Sequence, residues 1–241
     1  MKQLIVILGL LTCISAKSQE IPRWELAENG GITWTINDRI PHNDHIEMSG
    51  KQLSVVLRYG VNNNGAFVLE RSIVWPMLRF QPNNTHEHLN RRFALNVLDL
   101  IAVNKVSPKR EKVQKITLDG AMTVESSLSN ELHLTRILFP STSRAAYLEQ
   151  YVLSNIGEKN INIELPDVDM TYSTEASTGI YGEYQYEVKM TKKGFYVLNP
   201  GKELSFTVSF SARKSNENVP VFDVAKELAS DRKSTRLNSS H

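Results

Sequence analysis

Two short stretches concentrate the side chains that could do chemistry. Residues 41–50, PHNDHIEMSG, place His42, Asp44, His45 and Glu47 within six positions. Residues 75–88, WPMLRFQPNNTHEH, gather Trp75, Arg79, Asn83, Asn84, His86 and His88. Three chemistries are open to them. Imidazole and carboxylate are common metal ligands, and His86 and His88 would face the same way on a strand, but neither stretch follows a recognised zinc spacing. Glycoside hydrolysis is the second, and it needs two carboxyl groups facing each other across the scissile bond. Asp44 and Glu47 stand three apart, so a regular strand points them to opposite faces and away from that role. The third is a sugar-contacting rim, with Trp75 stacked on a pyranose face and Asp44, His45, Glu47, Arg79, Asn83, Asn84 and His86 bonding to hydroxyls. Carbohydrate is polar at its edges and apolar on its faces, which this mixture matches. Against the rim stands a plain structural reading: Trp75 in the core, Arg79 paired with a carboxylate, and the amides capping loops.

Elsewhere the chain offers less. His133 reads as a satisfied strand histidine, and Arg136 and Glu149 as charges on a sheet surface. Ser49-Gly50 lacks the strand, elbow and helix of a hydrolase nucleophile. No Walker loop or dinucleotide fingerprint occurs. The residues assign no catalytic group, no metal ligand and no cofactor.

Any such site must be held by strands. Two-residue alternation recurs from Gly31 to Arg213: Leu53, Val55, Leu57, Tyr59 and Val61 share one side, with Ser54, Arg58 and Gly60 on the other. Ile116 to Leu118, Asp119-Gly120 and Met122 to Val124 predict a hairpin, because Asp-Gly readily takes the positive φ angles of a tight primed turn. Residues 132–138, 186–190 and 204–210 alternate again, separated by turn chemistry at 62–65, 155–160, 192–194 and 199–201. Strands at this spacing, without long helical patterns between them, predict an all-β fold, a large antiparallel sandwich. Val221 to Ser230 breaks the pattern with a helical apolar stripe. It reads as the first turns of a linker, or as a short helix closing the sandwich.

The two ends read differently from the middle. Residues 1–18 combine Lys2, an apolar run from Leu4 to Leu11 and small residues at Ala16 and Ser18, the layout of a secretory signal cleaved after Ser18. The run is too short to span a bilayer. Export to the periplasm or beyond is expected, with lipid anchoring at Cys13 a lesser alternative. Residues 231–241, DRKSTRLNSSH, match without mismatch a translation of common sequencing-adapter DNA, so the protein's own sequence is expected to end near Ser230. With both ends set aside, residues 19–230 carry 23 Lys and Arg against 25 Asp and Glu. That balance argues against nucleic acid or an anionic membrane surface as partner. Cys13 is the only cysteine, so the exported part must be stabilised by its core and not by disulfides.

Asn43 to Gly50, Arg58-Tyr59-Gly60-Val61, Trp75-Pro76 with Leu78-Arg79, and Asn83 to His86 together resemble the N-terminal region of secreted Bacteroidetes six-hairpin glycosidases. Tyr151, Leu153, Asn155 and Gly157 resemble the sandwich domains of such enzymes, though that pattern is widespread. The resemblance extends over about residues 24–213 and implies a two-part protein. Residues 19–218 would be a non-catalytic β-sandwich and 219–230 the start of a helical linker. A barrel of paired helices carrying the catalytic carboxylates would follow in cis. Carbohydrate is then the implied partner, with the sandwich bracing the barrel and lining its sugar pocket. A free-standing carbohydrate-binding module and a structural sandwich without ligand are the competing expectations.

Overall fold

The computed structural model describes residues 22–27, 30–37, 39–81, 87–219 and 223–230. The expected signal segment 1–18 and the tail 231–241 lie outside them. In chain order the strands are β1 (Glu25–Leu26), β2 (Ile32–Thr35), β3 (His42–Ser49), β4 (Ser54–Val61), β5 (Phe67–Arg79), β6 (His88–Phe93), β7 (Ala102–Val103) and β8 (Lys112–Leu118). They continue with β9 (Met122–Ser127), β10 (Leu132–Pro140), β11 (Ala146–Asn155), β12 (Ile161–Leu165), β13 (Asp169–Ser173), β14 (Tyr184–Met190), β15 (Gly194–Leu198) and β16 (Glu203–Lys214). Among the described residues one α-helix, α1, covers residues 224–230, and a 3-10 turn covers Val97–Asp99.

The strands form three sheets in which neighbours run antiparallel, as the alternation predicts. The largest has nine strands in the order β1-β2-β8-β9-β10-β11-β16-β14-β13. A four-stranded sheet, β3-β4-β5-β6, packs on its inner face, and a three-stranded sheet, β15-β12-β7, turns Ile161, Ile163, Leu165 and Leu198 into the same core. Period-two patterning causes this layering, since each strand has one apolar side to hide. Val55, Leu57, Tyr59 and Val61 of β4 are buried in one cluster with Leu134 and Leu138 of β10 and Phe206, Val208 and Phe210 of β16. Each fully buried aliphatic or aromatic side chain contributes about 1.5–3 kcal/mol, and this shared face supplies the main drive to stack the sheets.

The β8–β9 hairpin forms where Asp119-Gly120 predicts it, but with a different turn. Leu118 pairs with Met122, leaving three residues between the strands, and only Gly120 of the three has a positive φ, 99°. A two-residue primed turn would need positive φ at both central positions. Here Asp119 donates its backbone N–H to Ala121 O (3.1 Å) and the loop is one residue longer.

Two side chains correct the sequence reading outright. Arg136 and Glu149, expected on a sheet surface, are 3% and 0% exposed and lie between the sheets. Arg136 alternates with Leu134 and Leu138 on β10, and Glu149 with Tyr147, Tyr151 and Leu153 on β11, so both share the inward parity of their strands.

The outer face of the nine-stranded sheet carries a smaller cluster, Ala121, Phe139, Ala146 and Leu148, covered by Val224 and Leu228 of α1. Asp223 caps this helix by accepting from the Lys226 backbone N–H (3.3 Å), and that bond holds its carboxyl below the usual range. Glu227 reaches the turn after β10, accepting from Ser141 Oγ (2.6 Å) and Ser143 Oγ (3.0 Å). Val221 and Phe222, part of the predicted stripe, lie outside the described residues.

Candidate functional site

Where β3, β4 and β5 meet the nine-stranded sheet, the layers part to leave a cleft of about 640 Å³. Asp44, Arg58, Tyr59, Glu70, Asn96, Arg136 and Tyr151 are among its lining residues. Pleating sorts the side chains of the small sheet. Asp44 stands opposite Tyr59, and both share a face with the inward residues Leu57 and Val61, whereas His45 stands opposite Arg58 on the other face. A glycine brings β3 in close. A Cβ on Gly60 would lie 2.2 Å from His42 O and 2.4 Å from Asn43 Oδ1, so no larger residue fits without pushing the Asn43-Asp44 segment away.

The floor of the cleft is charged but neutral in sum. Arg71 makes a two-pronged pair with Glu149 across the sandwich, its second prong 2.8 Å long, and donates to Leu95 O (2.7 Å). Tyr151 donates its hydroxyl to the same carboxylate (2.7 Å). Arg136 makes a second two-pronged pair with Glu111 and lies 5.3 Å from the centre of the Phe67 ring. Burial works against the Arg71 charge, but the Glu149 charge and hydrogen bond outweigh it and hold the guanidinium protonated above its ordinary range. Burial, then the Glu149 charge, pushes the Tyr147 and Tyr151 hydroxyls up; for Tyr59 the causes are burial and then Asp44. The tyrosines therefore stay neutral at physiological pH, and Tyr59 presents a neutral phenol beside a carboxylate.

Nothing in this lining resembles a two-carboxylate engine. Glu70 is shared between Arg58 (3.7 Å) and Arg92 (3.2 Å), and Asp44, 38% exposed at the mouth, lies 3.8 Å from His42 Nε2. Among the described residues no group of three or more His, Cys, Asp and Glu side chains is placed to hold a metal ion. What the lining exposes is the Asp44 carboxylate, His45, Asn96 and the Arg58–Glu70 pair around a volume that holds a small sugar, a polar rim suited to a polyhydroxylated ligand, over a floor in which Tyr59, Tyr151, Arg71 and Arg136 are at most 3% exposed.

The two sequence stretches separate in space. Asp44 and His45 reach the cleft. Glu47 turns to the opposite face from Asp44, as its spacing predicts, and accepts from Ser54 Oγ (2.6 Å). Trp75 is 1% exposed and donates its indole N–H to Ala145 O (3.0 Å), so it offers no face to a sugar and belongs to the core. Arg79 ends β5, where its carbonyl accepts from the Tyr184 hydroxyl (2.6 Å) and the Ile180 N–H (3.0 Å). Asn83, Asn84 and His86 lie outside the described residues. Sequence reading missed Glu70, Asn96 and Tyr151 as cleft residues. Tyr151 carried a signal, since it shares strand parity with Tyr147 and Leu153; the others depend on register between distant strands.

No family model matches the chain, and no curated protein matches it. One solved structure that it resembles is a protein named provisionally as a kojibiose phosphorylase from human microbiome. The two are 10% identical with a TM-score of 0.43, and the similarity covers 92% of this chain and 37% of that one. The chain thus spans just over a third of the length of that protein. Among the described residues no helix is long and apolar enough to cross a membrane.

Proposed function

We propose that this chain is a non-catalytic, carbohydrate-binding β-sandwich whose ligand enters the inter-sheet cleft at Asp44. The observation that carries the reading is the composition of that cleft. Carboxylate, imidazole, amide and guanidinium groups of Asp44, His45, Asn96 and Arg58 border a sugar-sized space, and of its two lining carboxylates Glu70 is engaged by arginine while Asp44 is not. The purified chain should bind a mono- or oligosaccharide in a calorimetric survey, and Asp44→Ala should weaken that binding at least tenfold while leaving the melting temperature unchanged. Lack of heat across neutral and acidic glycans at millimolar concentration would remove the reading. Turnover of aryl glycosides would contradict its non-catalytic part.

In the finer form of the proposal the protein is exported to the periplasm or beyond, and the sandwich serves a glycoside hydrolase in cis. It would brace a helical-barrel catalytic domain and line one wall of its pocket. The resemblance of residues 43–50 and 75–86 to six-hairpin glycosidases supports this form. The uninterrupted gene downstream of the Ser230 codon tests it: an open frame encoding paired helices is expected, and a native stop codon shortly after Ser230 would leave the free-standing module.

A further inference from the structure

A second cavity of about 370 Å³ opens between β6 of the four-stranded sheet and β13–β14 of the nine-stranded one. Its floor is a tyrosine pair. Tyr172 and Tyr186 stand opposite each other in the β13–β14 register, with ring centres 5.1 Å apart and planes 15° from parallel. Tyr172 is 44% exposed, so its ring is open to a ligand. Above the pair, the Arg91 guanidinium sits 4.7 Å from the centre of the Tyr186 ring.

Charge is unbalanced at this place, in contrast to the first cleft. Arg91 has no carboxylate within salt-bridge distance among the described residues, and Arg92 shares Glu70 with Arg58. Ala94 and Leu95 line both cavities, so the second space lies on the far side of a single wall from the first. That wall is fixed from beneath by the Arg71 bond to Leu95 O.

We infer that the second cavity is a subsite for an anionic sugar unit, a uronate or sulfated residue, and that the ligand of the whole groove is an acidic oligosaccharide crossing the Ala94-Leu95 wall. This rests on the carbohydrate-binding reading above and specifies its substrate class. The exposed Tyr172 ring, backed by Tyr186, supplies an apolar face for a pyranose, and Arg91, held against Tyr186, supplies a planar fork for a carboxylate or sulfate. An acidic peptide of aspartate and glutamate would satisfy Arg91 but has no ring to lay on Tyr172.

Calorimetry on the full chain with oligogalacturonate, oligoalginate and chondroitin sulfate oligomers, and with carboxyl-reduced oligogalacturonate as the neutral match, decides the matter. At least one acidic oligomer should bind tenfold or more tighter than the reduced one, with affinity falling as salt rises. Arg91→Gln and Tyr172→Ala should each cost tenfold in that affinity at unchanged melting temperature, with partial recovery in Arg91→Lys. Equal binding of acidic and reduced oligomers, or indifference to both substitutions, would sink the subsite while leaving sugar binding at Asp44 standing. Absence of binding to every oligomer would sink both. Polyglutamate binding as tightly and with the same mutational loss would overturn the sugar assignment in favour of an acidic peptide.

Discussion

The interior between the two larger sheets has two halves built on opposite principles. Around Val55, Ile73, Trp75 and Leu89 it is apolar and closed, with each of these side chains at most 1% exposed. Around Arg71, Glu149, Tyr151, Arg136 and Glu111 it is charged, and Arg71, Arg136 and Tyr151 line the cleft. The difference teaches where a sandwich can keep an opening. Apolar side chains interdigitate until no space is left, whereas the forked Arg71–Glu149 pair, the one of the two that spans the sheets, demands fixed geometry and holds the layers apart at that separation.

The contrast can be broken from the charged side first. Glu149→Ala strands Arg71 in the interior and should destabilise the fold by about 3–5 kcal/mol in urea unfolding. The double change Arg71→Met with Glu149→Leu should recover most of that loss, because an uncharged pair of similar volume avoids the desolvation penalty. A double variant as unstable as the single one would show that the pair matters for shape and not for charge. On the apolar side, Ile73→Val removes one methylene and should cost only about 0.5–1.5 kcal/mol, measured in the same way.

The smallest effect at neutral pH, and the most diagnostic one, concerns Tyr147. Its hydroxyl is fully buried beside Glu149 without a hydrogen bond of good geometry, and burial raises its pKa well above the usual value. A raised pKa in the folded state means a contribution that is complete below the unfolded tyrosine pKa of about 10 and is lost as pH climbs above it toward the folded value. Tyr147→Phe should therefore change stability by less than about 1 kcal/mol at pH 7 and flatten the loss of stability above pH 10. An unchanged alkaline slope would show that Tyr59 and Tyr151 carry it instead.

These residues also mark how far the sequence could be read. The β4 alternation, the hairpin at Asp119-Gly120 and the C-terminal helical stripe were legible because each is a local pattern. Arg136 and Glu149 were misread although their parity pointed inward, since a charge at an inward position looks like an error until its partner is known. Those partners, Glu111 and Arg71, lie 25 and 78 residues away. The candidate site fared likewise. Asp44 and His45 reach the cleft, but Trp75 fills the core, and the tyrosine pair of β13 and β14 gave no signal because its two rings meet only through strand register.

The turn between β10 and β11 is gripped from both sides of the large sheet. From the side of the four-stranded sheet, buried Trp75 holds Ala145 O and exposed Gln52 holds Ser143 O (3.0 Å); from the other side, Glu227 holds the hydroxyls of Ser141 and Ser143. The turn therefore acts as a rivet through the layer, fastening the helix on one surface to the packing on the other. A pull on residues 224–230 would be borne by the interior at Trp75, not absorbed in a slack loop.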